Sequence, residues 1–203
     1  MVLFEEEVRE LERKISAHPT GGTVFYGSSS IRLWATLEAD FPEAQPINIG
    51  FGGATLAACA WHFERLVVPV QPHALILYAG DNDLAEGRQP EEVCLFFYAL
   101  AEKIIHHFPN VPVTFLSIKP SPARWILVDQ IRTANALIAE KINELPNFQF
   151  VDATPVMLTG DGQPERELYV EDGLHLSPSG YARWREQLIL HANAFKSPAA
   201  VLV

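Results

Sequence analysis

The sequence predicts an α/β fold, a three-layer α/β/α sandwich built on a five-stranded parallel sheet. Two observations carry that expectation. Five short runs along the chain are β-rich and apolar on both faces, as strands covered on both sides of a parallel sheet must be. Longer stretches between them keep a helical apolar stripe, and strand–helix alternation at this spacing calls for right-handed βαβ crossovers.

The elements follow in order. A helix over roughly 3–17 opens the chain with the acidic turn Phe4-Glu5-Glu6-Glu7. Thr23-Val24-Phe25-Tyr26 is the first strand, with a helix at roughly 31–39 behind it. Pro46-Ile47-Asn48-Ile49 is the second, followed by a helix at roughly 55–67. Ala74-Leu75-Ile76-Leu77-Tyr78 is the third, before a helix at roughly 91–107 striped by Leu95, Leu100, Ile104 and Ile105. Val113-Thr114-Phe115-Leu116 is the fourth strand. The proline-rich loop Lys119-Pro120-Ser121-Pro122 then leads to a helix at roughly 126–144 carrying Ile131, Leu137, Ile138 and Ile142. Phe148-Gln149-Phe150-Val151 is the fifth strand. Ser177-Pro178 reads as an N-cap with proline at the first helical position, opening a last helix at roughly 178–195.

A chain of 203 residues suits one well-buried domain, 1–203, and no repeat, low-complexity tract or linker divides it. A net charge of −10 with scattered basic residues argues against nucleic acid, which needs clustered Lys and Arg. Cys59 and Cys94 sit among apolar neighbours at helical spacing, so two reduced core thiols are expected. No apolar run approaches the roughly 18 residues of a membrane span. The acidic start is unlike a signal peptide, which points to a cytoplasmic location. The apolar tail Ala199-Ala200-Val201-Leu202-Val203 hints at a contact between copies in a homo-oligomer.

Four polar segments carry the chemistry, and three of them directly follow strands. Ligands of open parallel sheets bind beyond the carboxyl ends of the strands, so these segments are expected to converge. In Gly27-Ser28-Ser29-Ser30 a serine would project from a tight turn, as a nucleophile or as a helix cap. No Gly-Lys-[Ser/Thr] follows, so a phosphate loop is disfavoured, and Ile31 stands where a Gly-x-Ser-x-Gly elbow needs glycine. Gly50-Phe51-Gly52-Gly53 lets backbone approach a ligand closely, although a plain strand-to-helix turn fits it as well. Thr55 replaces the third glycine of a dinucleotide fingerprint, which disfavours that reading. In Gly80-Asp81-Asn82-Asp83, Asn82 offers an amide donor of fixed direction or an Asx-turn.

Asp172-Gly173-Leu174-His175 places a carboxylate and an imidazole three residues apart, close enough for Asp172 to orient His175 as a general base. Asp81, Asp83, Asp152 and Asp172 around Mg²⁺ form the competing, metal-dependent reading, and His175 suits proton transfer better than a hard cation. His106 and His107 end a helix, where cations favour the dipole; His18, His62, His73 and His191 lack a carboxylate in comparable register.

Taken in order, the four segments resemble the conserved blocks of the SGNH/GDSL hydrolase family, over roughly residues 23 to 190. The resemblance implies a flavodoxin-like sheet and a serine esterase that needs no metal or organic cofactor. It makes Ser29 the nucleophile, with Asp172 and His175 completing a triad, and puts oxyanion donors at Ser29, Gly53 and Asn82. Ser28 stands where the family usually has aspartate, which leaves Ser28 and Ser30 as rival nucleophiles. Trp34, Phe51, Arg124 and Trp125 are candidates to line the entrance of a site for small acyl esters, acetyl esters of carbohydrates among them. A phosphoesterase and a silent ligand-binding domain are the alternatives.

Overall fold

The computed structural model describes residues 4–17 and 20–195, and its centre is a single parallel sheet. Strands β1 (Thr23–Gly27), β2 (Pro46–Gly50), β3 (Ala74–Tyr78), β4 (Val113–Leu116) and β5 (Phe148–Val151) lie in the order β2-β1-β3-β4-β5. The sequence runs are these strands to within a residue. Alternation within each strand feeds two cores. Val24, Tyr26, Ile49, Leu75, Leu77 and Phe115 point to one face, Phe25, Ile76, Tyr78 and Leu116 to the other.

Among the described residues, eight α-helices pack around the sheet, seven of them on its two faces. The first core is closed by α1 (Glu5–Ser16), α4 (Leu56–Leu66), α6 (Pro90–His107) and α7 (Val128–Ile142), through residues such as Val8, Phe63, Phe97 and Ile138. The second is closed by α2 (Ser29–Arg32), α3 (Leu37–Asp40) and α8 (Pro178–His191), whose Trp184 is fully buried. The last helix, α5 (Asp81–Ala85), sits at the end of β3. Local chemistry sets the starts: Thr55 Oγ1 accepts from Ala58 N at 3.1 Å, and Ser177 Oγ accepts from Gly180 N at 3.3 Å. Gln89 and Glu92 form a capping box ahead of α6.

Four differences from the sequence reading have physical causes. The helix expected at 31–39 is two short ones, because Trp34 Nε1 and Thr36 Oγ1 both donate to Asp40 Oδ2 and close a turn between α2 and α3. A five-residue helix such as α5 is too short to show periodicity. The helix expected at 126–144 starts at Val128, because Pro122 opens a 3-10 segment, Pro122–Leu127, in which Arg124 is off helical geometry (φ −118°, ψ 23°). The last helix stops at His191, where Ala192 turns extended.

Cys59 is buried and Cys94 half-buried, both as free thiols. Among the described residues, no helix is long and apolar enough to cross a membrane. His18 and the tail Ala199–Val203 lie outside the described residues.

The strand order matters for the site. Gly27 stands opposite both Gly50 and Tyr78, so β1, β2 and β3 end level with one another. The chain leaves β1 toward one face (α2) and β2 toward the other (α4). That reversal opens a crevice beyond the β1 and β3 ends, the topological switch point where ligands of such sheets bind.

Candidate active site

Every group proposed for chemistry from the sequence lies at this edge. Gly27 allows β1 and β3 to approach closely: a Cβ there would fall 1.8 Å from Tyr78 O. The ladder continues one residue further, with Ser28 N donating to Tyr78 O at 2.9 Å. Ser28 is the extended residue ahead of α2, and Ser29 is its first helical residue. The turn is held from behind by Tyr181 Oη, which donates to Ser30 O at 2.9 Å.

The three serines have different surroundings. Ser28 and Ser30 are 1% and 2% exposed, and Ser28 Oγ is buried without a partner. Ser29 is half-buried, with Oγ 3.0 Å from His175 Nε2. Of the three, only Ser29 combines solvent access with an imidazole in hydrogen-bond reach.

His175 is fixed by its loop. Tyr169 and Leu176 form an antiparallel bridge, and Val170 N donates to His175 O at 2.9 Å. The Arg166 guanidinium donates to the carbonyls of Tyr169, Val170 and Glu171. Asp172 Oδ2 lies 2.6 Å from His175 Nδ1, while Oδ1 accepts from the backbone N–H groups of Leu174 and His175 at 2.8 and 2.9 Å. Partial burial works against the Asp172 carboxylate. The hydrogen bonds from the His175 ring and the two amides override it, and hold the carboxyl down to about 2. A carboxylate ionised at neutral pH thus anchors one ring nitrogen and leaves the other to face Ser29, the arrangement that lets serine attack a carbonyl.

The donors expected to face a developing oxyanion are held from two sides. Ser29 N is at the start of α2. Gly53 is exposed with φ +69°, a left-handed conformation that suits glycine. Its loop is pinned where Phe51 N donates to Gly27 O at 3.0 Å and Gly52 N donates to Glu7 Oε2 at 2.6 Å. The Asn82 amide donates from Nδ2 to Ala54 O at 3.0 Å and accepts at Oδ1 from Arg124 Nη2 at 2.9 Å. Asp83 accepts from Leu56 N with both carboxyl oxygens, tying α5 to the start of α4. Its burial, opposed by that amide, pushes the carboxyl up to about 6.

The candidate lining residues divide. Trp34 and Phe51 are core residues, 2% and 0% exposed, which corrects their assignment to the entrance: Trp34 packs on Tyr181 and Phe51 on Phe4. Trp125 is half-buried in the 3-10 segment, next to Ile126, which is 93% exposed. Arg124 turns its guanidinium inward, with Nη1 2.7 Å from Asp81 Oδ2.

Sequence reasoning missed the groups behind Arg124. Lys119 is 2% exposed, with Nζ 3.9 Å from Asp81 Oδ2 and 5.9 Å from the ring centroids of Tyr78 and Tyr169. A lysine in a proline-rich loop carries no sequence signal of burial. The four aspartates weighed as metal ligands are each engaged separately: Asp81 by Arg124, Asp83 by Leu56 N, Asp152 by Thr154 N and Asp172 by His175.

Two clefts flank this edge. One of about 500 Å³, lined by Glu7, Lys14, Arg32 and Asn48 among others, holds no member of the hydrogen-bonded Ser29–His175–Asp172 chain. The other, of about 480 Å³, is lined by Leu33, Leu176, Pro178, Tyr181 and Arg185 among others. It too holds no member of that chain, although Leu33 N donates to Ser29 O and Leu176 follows His175 in sequence.

Comparisons with known proteins agree with this architecture. The model of the GDSL-like Lipase/Acylhydrolase family matches residues 19–183. A Bacteroides fragilis protein assigned as an acylhydrolase has a similar structure, with TM-score 0.79 and 19% identity over 90% of this chain and 93% of that one. A GDSL-like lipase from Bacteroides thetaiotaomicron gives 0.73 and 21%, over 90% and 95% of the two chains. A carbohydrate esterase family 3 protein from Talaromyces cellulolyticus gives 0.68 and 15%, over 83% and 94%. At these identities the likeness speaks to the fold. No curated protein matches the sequence.

Proposed function

This chain belongs to the GDSL-like lipase/acylhydrolase family, and from that premise we propose that it is a serine esterase cleaving small acyl esters through Ser29, His175 and Asp172. The single observation that carries the reading is the unbroken hydrogen-bonded chain from Ser29 Oγ through the His175 ring to the Asp172 carboxylate. His175 Nε2 takes the Ser29 proton as Oγ attacks the ester carbonyl. The carbonyl oxygen becomes an oxyanion received by the Ser29 and Gly53 amides and the Asn82 side chain, and Asp172 stabilises the imidazolium. His175 then passes the proton to the departing alkoxide. Water, deprotonated by the same nitrogen, cleaves the acyl-enzyme and returns the serine. No step calls for a metal or organic cofactor.

One observation bears on the acyl group. The fold is shared with a carbohydrate esterase, which keeps acetyl esters of carbohydrates within the proposal. The test is a panel of p-nitrophenyl esters from acetyl to decanoyl. Turnover should be highest for the shortest chains and fall below detection in Ser29→Ala. A preference for decanoyl would overturn the small-acyl reading, and hydrolysis surviving in Ser29→Ala would overturn the mechanism.

A further inference from the structure

The oxyanion donor proposed at Asn82 is an amide, and an amide is useful there only one way round. Turned by 180°, it would present a carbonyl oxygen to a developing negative charge. What fixes the orientation is therefore part of the catalytic apparatus, and the structure identifies it. Asn82 Oδ1 accepts from Arg124 Nη2 at 2.9 Å, and one hydrogen of Nδ2 goes to Ala54 O at 3.0 Å. Arg124 has no lone pair to offer, so the atom facing it must be the oxygen, which leaves the second Nδ2 hydrogen unclaimed by either contact.

Arg124 is itself held. Its other terminal nitrogen, Nη1, donates at 2.7 Å to Asp81 Oδ2, a carboxylate 7% exposed, from the residue preceding Asn82. The fork thus spans two adjacent side chains of α5 and aligns them in a way that a single-point ammonium cannot. Lys119 Nζ, itself buried and 3.9 Å from the same Asp81 oxygen, places a second basic group beside that carboxylate. Arg124 also links the two halves of the site, because its 3-10 segment rests on the triad loop through Ala123 N donating to Gly173 O at 3.0 Å.

We propose that Arg124, backed by Asp81, is a positioning residue that sets the direction of the Asn82 amide and so acts on turnover only through Asn82. The proposal rests on the oxyanion role given to Asn82 above. It replaces the entrance role expected for Arg124: its outward-facing partner would be substrate, whereas its observed partners are enzyme groups.

The test is a double-mutant cycle on p-nitrophenyl acetate hydrolysis with Asn82→Ala, Arg124→Met and the double variant. Arg124→Lys is added to keep the charge beside Asp81 should Arg124→Met fold poorly. Asn82→Ala should lower kcat by about 100-fold or more, and Arg124→Met by about 10-fold or more with KM little changed. In the Asn82→Ala background, Arg124→Met should cost less than about 3-fold, because the group it positions is gone. Arg124→Lys should fall near Arg124→Met in kcat while holding the wild-type melting temperature. Losses that multiply in the double variant would overturn the proposal, as would wild-type kcat in Arg124→Lys. Wild-type kcat in Asn82→Ala would instead overturn the oxyanion reading, and the inference with it.

Discussion

Replacing Asp172 with asparagine tests the triad through the tautomer of His175. Asp172 Oδ1 accepts two backbone N–H groups at 2.8 and 2.9 Å, and an asparagine keeps both bonds only if its amide oxygen takes that position. Its NH₂ group then faces His175 Nδ1. The reverse orientation forfeits two hydrogen bonds, at about 1 kcal/mol each, and sets an NH₂ against two donors. The imidazole therefore accepts at Nδ1 and carries its proton on Nε2, where it can no longer take the Ser29 proton. In a Ser-His-Asp protease the same change costs about 10⁴-fold in turnover. Here the Asp172 side chain is 47% exposed, so water can partly restore the ring's orientation. We expect a loss of about 10³-fold, equivalent to about 4 kcal/mol in the barrier. Steady-state hydrolysis of p-nitrophenyl acetate measures it, with circular dichroism confirming the fold. A folded Asp172→Asn enzyme within 5-fold of wild type would show that Asp172 does not set the His175 tautomer.

Two further predictions concern the frame of the site. Burial lifts Asp83 from an ordinary 3.8 to about 6, so the folded protein holds that proton where the unfolded chain has lost it. Its contribution must therefore weaken stability as pH rises from about 4 to about 6, by up to about 3 kcal/mol, and stay constant above. Asp83→Asn should flatten that part of the pH profile in urea unfolding, and an unchanged slope would contradict the assignment. Gly27→Ala forces a Cβ to 1.8 Å from Tyr78 O, so the β1–β3 pairing must open. We expect a loss of at least about 3 kcal/mol in the same assay, and a variant as stable as wild type would contradict that packing.

Much of this arrangement is legible in the sequence because strands and site loops obey local rules. Apolar runs such as Ala74–Tyr78 announce buried strands, and polar residues right after them must fall at one sheet edge. The spacing of Asp172 and His175 is also local, and the structure keeps them in contact. Three serines in a row gave no means of choosing among themselves, because burial of Ser28 and Ser30 depends on strands and helices distant in the chain. Trp34 and Phe51 follow the same logic: an aromatic beside a site loop fits a wall or a core, and here long-range packing puts both in the core. The pairing of Arg124 with Asp81 and Asn82 spans more than 40 positions and joins a loop to a helix too short to show periodicity, so no local pattern encodes it.

Labelling with a fluorophosphonate, followed by peptide mass mapping, asks whether Ser29 is an activated nucleophile. A phosphonyl group transfers only to a serine whose proton a base removes, so it reports the Ser29–His175 contact as reactivity. A single adduct should form on Ser29, absent from Ser29→Ala and strongly slowed in a folded His175→Ala variant. An adduct on Ser28 or Ser30, or no adduct on the folded wild-type protein, would contradict Ser29 as the nucleophile.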